Sequence, residues 1–263
     1  MAAASVKVFA FFAAWLILWL PVVIPLAKTL KWNPAEPLTG EQKLPILASL
    51  YVIAPAIVGI AVWVEGTAWS DYGLLFQPQV FKSLGFGLAI AVLGLSLVFL
   101  LESLLGWVQW HRENFKRLWS LWLPILGLGL WIGWTEELIF RGFVLTELAR
   151  DYSLVWAAIA SSLIFALSHL FWERKQTLPQ LPGLILMGMV LVLARWVDGG
   201  SIGLASGLHA GWIWGLTCLD SAQLISYPKQ KLAWIVGLGG QPLAGVAGIL
   251  CMLATGASLL GLG

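Results

Sequence analysis

Uncharged runs of about 18 or more residues recur along the chain, each long enough to cross a bilayer as a helix. Val8–Ala27, Leu44–Val64 and Ser83–Leu101 are the first three. A fourth begins at Leu118 and continues through two carboxylates to Leu148. Tyr152–Trp172, Thr177–Ala194 and Gly199–Leu219 follow, and a last helix falls within Leu232–Gly263, starting near Pro242. The pattern predicts an all-α polytopic membrane protein, a bundle of about eight transmembrane helices. Residues 1–263 read as a single transmembrane domain, with a polar motif-bearing core at about 118–220. The first run is longer than a signal-peptide core and has no convincing small-residue cleavage site after it, so it reads as a span. The connection Glu65–Lys82, with Trp69, Tyr72, Leu74, Leu75 and Phe76, reads equally as an interfacial amphipathic segment or a plain linker.

Composition agrees with that plan. The chain is 60% hydrophobic and only 11% charged, with a mean hydropathy of +0.88, whereas soluble domains carry about a quarter charged residues. The net charge of +2 is scattered, and no basic stripe interleaved with aromatics points to nucleic acid. Membrane lipids are the expected surroundings. Tryptophans such as Trp32, Trp63, Trp69, Trp107, Trp110, Trp119, Trp172 and Trp234 fall near proposed span ends, as interfacial belts require. Cys218 and Cys251 stand in apolar runs without CxxC spacing and are expected as buried free thiols.

Basic residues divide unevenly between the two sets of connections. Lys28, Lys31, Lys43, Arg112, Lys116, Arg117, Arg174, Lys175, Lys229 and Lys231 lie on one side, and Lys7, Lys82, Arg150 and Arg195 on the other. The positive-inside rule assigns the richer side to the cytoplasm and both termini to the opposite face.

Against this apolar background, Thr135-Glu136-Glu137-Leu138-Ile139-Phe140-Arg141 stands out, because ionisable groups inside a membrane are functional by default. His169 and His209, two of three histidines in the chain, occupy comparable apolar settings. Glu136 lies about sixteen residues before the turn near Tyr152 and His169 about seventeen after it. An antiparallel pair therefore brings both about 24 to 26 Å from the turn, toward the basic side. His209 fits less well: it stands about ten residues, or about 15 Å, beyond the Asp198–Ser201 connection. It meets the others only if that Gly-Gly connection dips into the membrane or its helix is displaced. Glu137 and Arg141, four apart, share a helix face and can pair, while Glu136 points about 100° away and is left free to act on a water. Phe165 shares a face with His169, either as packing or as a substrate contact.

A carboxylate beside two imidazoles suits general acid–base activation of water, or a divalent metal such as zinc held by Glu136, His169 and His209. The HExxH spacing of soluble metalloproteases is absent. On residue types alone, a hydrolytic site, a proton or ion pathway and a structural polar network all remain open.

The ordered set Glu-Glu-x-x-x-Arg, Phe-x-x-x-His and a later histidine, all within spans, resembles the CAAX-prenyl-endopeptidase and bacteriocin-processing family of intramembrane proteases. The likeness covers about Trp131 to Gly215. It implies that Glu136 activates water with His169 assisting, that Glu137 and Arg141 support them, that Phe165 lines the site, and that His209 stabilises the oxyanion. The expected substrate is a membrane-associated protein or peptide, and the expected site lies toward the cytoplasm. The family's chemistry is described both with a metal and as glutamate-driven without one. One position departs from the pattern: Ile213 stands where the family commonly has Asn or Asp. An indole N–H of Trp212 or Trp214 is the substitute donor expected here. The departure also motivates a second reading, a non-proteolytic membrane scaffold or chaperone-like subunit that keeps the polar core.

Overall fold

In a computed structural model, residues 3–33, 39–171, 174–228 and 232–261 are described. Trp172, Lys229 and Lys231, used above for belts and orientation, lie outside them. The helices are α1 (Ala4–Thr29), α2 (Gly40–Glu65), α3 (Pro78–Leu104), α4 (Phe115–Glu137), α5 (Leu145–Asp151) and α6 (Leu154–Ser168). There follow a short α7 (Arg174–Thr177), α8 (Leu181–Val197), α9 (Gly203–Ser221), a short α10 (Ala233–Val236) and α11 (Val246–Leu260). Among the described residues, six stretches are long and apolar enough to cross a membrane: 4–29, 44–65, 78–104, 112–151, 154–171 and 174–197. Two expected spans differ. The seventh becomes α9, which carries buried polar groups and is not among the six. The last begins at Val246 and is only 15 residues long. A two-stranded antiparallel ribbon, β1 (Gln109–Trp110) with β2 (Ile225–Ser226), ties the end of α3 to the end of α9.

The path expected as one fourth helix is interrupted. Between α4 and α5, Leu138–Val144 widen into a π-helical turn, and every one of these residues is buried. Such turns leave backbone carbonyls short of their usual partners and often mark functional sites. Here Arg195 of α8 supplies donors: its Nη1 donates to the Arg141 carbonyl and, at 2.9 Å, to Thr146 Oγ1. Arg195 is thus a structural clamp as well as a topology signal.

α9 is wedged between α3 and α4, and its residues from Gly203 to Trp212 are buried without a break. Small residues permit that closeness, as in other membrane helix pairs. A Cβ at Gly207 would overlap the backbone carbonyl of Leu84 on α3, and one at Gly87 would overlap that of Leu204. Gly207→Ala is therefore expected to cost about 1–3 kcal/mol, the usual penalty of overpacking, read as a lower unfolding temperature of the detergent-solubilised protein.

The connection before α9 explains how His209 reaches the core. Ser201 and Ile202 are buried, and the Ile202 N–H donates to the Gly73 carbonyl at 3.0 Å. Asp198 accepts from Ser83 Oγ at 2.6 Å and from the Leu204 N–H at 3.1 Å. The turn is drawn inward onto the Trp69–Tyr72 3₁₀ turn and Gly73, the alternative that the spacing required. For the same reason the Glu65–Lys82 connection is neither an interfacial segment nor a plain linker around Tyr72. That side chain is fully buried and donates to Glu147 at 2.8 Å. Burial first, and the bond to Glu147 second, push the Tyr72 phenol up to about 12.

At that end of the bundle Lys7 pairs with Glu65 at 2.6 Å and Glu147 at 3.0 Å, and Arg150 pairs with the same two carboxylates at 3.0 and 2.9 Å. This network ties α1, α2 and α5 together where a lone buried Glu147 would be costly. Cys218 and Cys251 are both buried and free, as expected.

Candidate active site

The polar groups converge at the far end of α6 from the Lys7–Arg150 network. Glu137, fully buried at the C-terminus of α4, is the hub: its Oε1 accepts from Arg141 Nη1 at 3.0 Å and from His209 Nδ1 at 2.8 Å. Arg141 is itself fully buried. It spends Nη2 on the Gly188 carbonyl at 3.2 Å and lies 4.3 Å over the Phe165 ring. The charge buried on Glu137 is thereby met by a cation, and the cation by an aromatic face and a carbonyl.

A carboxylate only accepts, so the contact to Glu137 fixes the proton of His209 on Nδ1 and turns Nε2 toward Glu136. The distance from that Nε2 to Glu136 Oε2 is 3.7 Å, beyond direct hydrogen bonding but within reach of one bridging water. His169 is fixed in the same way. Its Nδ1 donates to the Phe165 carbonyl at 2.8 Å, one helical turn back, and Nε2 is left to accept. Phe165 sits among the three groups, its ring centroid 4.7 Å from that of His169 and 5.7 Å from that of His209, both edge-on. It touches both imidazoles and the guanidinium and serves as the packing post of the cluster.

Glu136 is 5% exposed. Its Oε1 accepts from the Tyr51 hydroxyl of α2, and its Oε2 has no partner among the described residues. Glu136 and His169 line one cavity of about 220 Å³, walled by Trp15, Trp19, Tyr51 and Phe140. The depth matching of the α4–α6 hairpin thus brings these two side chains to one space. The sequence reading missed Tyr51. Of four tyrosines it is the one in the middle of an apolar run, Leu44–Val64, whereas Tyr152 stands at the end of one, and a phenol at mid-run must find a polar partner. That was the available signal.

The two tryptophans part ways. Trp214 donates to the Trp122 carbonyl at 2.9 Å and faces a groove between α3 and α4 away from the histidines, so its N–H is not placed at the site. Trp212 is buried, its Nε1 has no partner among the described residues, and it lines a second cavity together with His169, His209 and Ile213. Glu136, His169 and His209 are also the metal candidates, and in both histidines Nε2 is the ring nitrogen left to ligate. In the present arrangement no three His, Cys, Asp or Glu among the described residues are grouped closely enough to hold a metal ion.

This arrangement can present one free carboxylate oxygen to a water, with a second base at His169. The Tyr51 O–H is given to the other oxygen of Glu136, and the Trp212 N–H, in the second cavity with His169 and His209, is unspent among the described residues. Residues 117–215, which include every member of the cluster except Tyr51, match the family model described as type II CAAX prenyl endopeptidase Rce1-like. The match bears out the family resemblance carried by the Glu-Glu-x-x-x-Arg, Phe-x-x-x-His and His209 motifs. No curated protein and no solved structure matches the chain.

Proposed function

Residues 117–215 are Rce1-like in sequence, and on that premise we propose that this chain is an intramembrane endopeptidase that hydrolyses a peptide bond of a membrane-associated protein or peptide. All its long helices act in this reading as one membrane unit, with the site open toward the cytoplasmic face. The observation that carries the reading is the asymmetry of Glu136: one oxygen is held by Tyr51, while the other is buried without a hydrogen-bond partner among the described residues, 3.7 Å from His209.

Glu136 Oε2 accepts a proton from a water as the water oxygen attacks the carbonyl carbon of the scissile bond. The carbonyl oxygen becomes the oxyanion, met by the Trp212 indole N–H in the place that Ile213 leaves without a side-chain donor, with the His209 ring beside it as a further donor when Nε2 takes up a second proton. Collapse of the intermediate breaks the C–N bond, and the amine leaves with a proton returned from Glu136 or relayed by His169. Glu137 and Arg141 do not touch substrate in this scheme. They hold the His209 ring at its orientation. Every step in this scheme is assigned to the chain's own residues.

Tyr51 orients the base, so Tyr51→Phe should lower kcat by about 10- to 100-fold with KM little changed. This matches the about 1.5–3 kcal/mol of a hydrogen bond to a charged group. Steady-state cleavage in proteoliposomes checks it. The scaffold reading predicts a different cellular result. Membrane peptidomes of cells carrying wild type, Glu136→Ala or His169→Ala at equal protein level should differ if the chain is a protease. If both variants match wild type, the polar core serves packing alone.

A further inference from the structure

Glu102, the first residue after the apolar run Ser83–Leu101, is turned inward. It is 3% exposed on the last turns of α3, and its Oε2 has no partner among the described residues. It lines the cavity of about 170 Å³ that also holds His169, His209 and Trp212, with Leu184, Met187 and Met252 among its apolar walls. His169 lines both this cavity and the one containing Glu136. A bond placed for attack beside His169 would therefore have this cavity on one flank.

The cavity is smaller than the about 300–1,000 Å³ of ordinary small-molecule sites and takes one long side chain. Apart from the His169 and His209 rings, the Trp212 indole N–H and the Cys251 thiol, its walls are apolar, and Glu102 is the one carboxylate among its lining residues. A metal ion would want several donors, and among the described residues no three His, Cys, Asp or Glu are grouped to hold one. An unpaired buried carboxylate is costly, and a cation brought to it in an apolar setting recovers much of that cost. The ligand that matches both features has a hydrocarbon stem to lie against the walls and a charged head to meet the carboxylate, as basic side chains do.

From this juxtaposition of a buried, unpartnered Glu102 with an apolar side-chain-sized cavity next to His169, we propose that the cavity is a specificity subsite for a lysine or arginine side chain beside the scissile bond. The proposal rests on the protease reading for its substrate, but the site itself does not depend on turnover.

The first test is binding. n-Pentylammonium, with 1-pentanol as its neutral counterpart, is titrated by calorimetry into the purified full-length protein in detergent. Wild type and Glu136→Gln should bind the ammonium alike, Glu102→Asp should retain binding, and Glu102→Gln should lose about 30-fold or more, the cost of leaving a buried charge without its partner. Pentanol should not distinguish the variants. Equal ammonium affinity in wild type and Glu102→Gln, or none in wild type, overturns the subsite. Matching unfolding temperatures for the two Glu102 variants keep a folding defect from imitating the result.

The second test is cleavage, with quenched peptides in which a lysine is replaced by norleucine at each position around the cut. One replacement should lower kcat/KM by about 30-fold in wild type and much less in Glu102→Gln. No such position overturns the subsite as a substrate site. If instead Glu136→Gln cleaves as well as wild type, the protease reading fails while the ammonium titration still decides the cavity.

Discussion

Glu136→Gln should leave a folded protein that binds substrate and turns it over about 10²- to 10⁴-fold more slowly, the usual contribution of a positioned general base. Glutamine keeps the size of the side chain, and its carbonyl oxygen still accepts from the Tyr51 hydroxyl, so the α2–α4 contact survives. What is lost is the ability of the second oxygen, buried and without a partner among the described residues, to take a proton. The loss should fall on kcat, with KM unchanged, because the proton moves only in the transition state. A variant whose KM rises while kcat holds would make Glu136 a binding group instead. Cleavage of quenched peptides in proteoliposomes at matched folded protein separates the two.

The second large effect is on stability. Arg141→Met should destabilise the protein by about 3–5 kcal/mol, the range for breaking a buried ion pair from one side. Arg141 and Glu137 are both fully buried and 3.0 Å apart. Without the guanidinium, Glu137 is left with His209 alone, the Gly188 carbonyl loses a donor, and the Phe165 ring loses the cation above it. The double variant Arg141→Met with Glu137→Gln should recover a large part of the loss, since removing both charges also removes their desolvation. It should stay poorly active, because the His209 ring then lacks the carboxylate that fixes its proton. Unfolding temperatures in detergent check the first claim, and the stability–activity split in the double variant checks the second.

The chemistry-bearing residues were the legible part of the chain. Charge and imidazole are so disfavoured in hydrocarbon that Glu136, Glu137, Arg141, His169 and His209 announce themselves one by one. The rise of an α-helix then suffices to bring Glu136 and His169 to one depth. The same ruler strained at His209, because it measures from the Asp198–Ser201 connection and takes that connection to lie at the surface. The next residue, Ile202, is instead bonded inward to the Gly73 carbonyl, and Ser201 is buried with it.

Other features left no local mark. The π-helical turn of Leu138–Val144 has the composition of an ordinary apolar helix, and the carbonyl it exposes is met by Arg195, far along the chain. Tyr51 and Glu136 are 85 residues apart, and their pairing follows from how α2 packs on α4, which no periodicity encodes. Nor does the sequence mark the burial of Glu102. A carboxylate at the end of an apolar run usually meets water, and only the tertiary fold turns it inward.

The central claim is that Glu136 activates a water against a peptide bond. Its most direct test is cleavage of membrane-anchored quenched peptides by the purified full-length protein in liposomes prepared in ¹⁸O-labelled water, with Glu136→Gln run beside it. Hydrolysis at Glu136 predicts that wild type yields a new C-terminus carrying one heavy oxygen, and that Glu136→Gln yields almost none over the same time. Equal labelled product from the two proteins, or no cleavage by folded wild type across the peptide set, would contradict it.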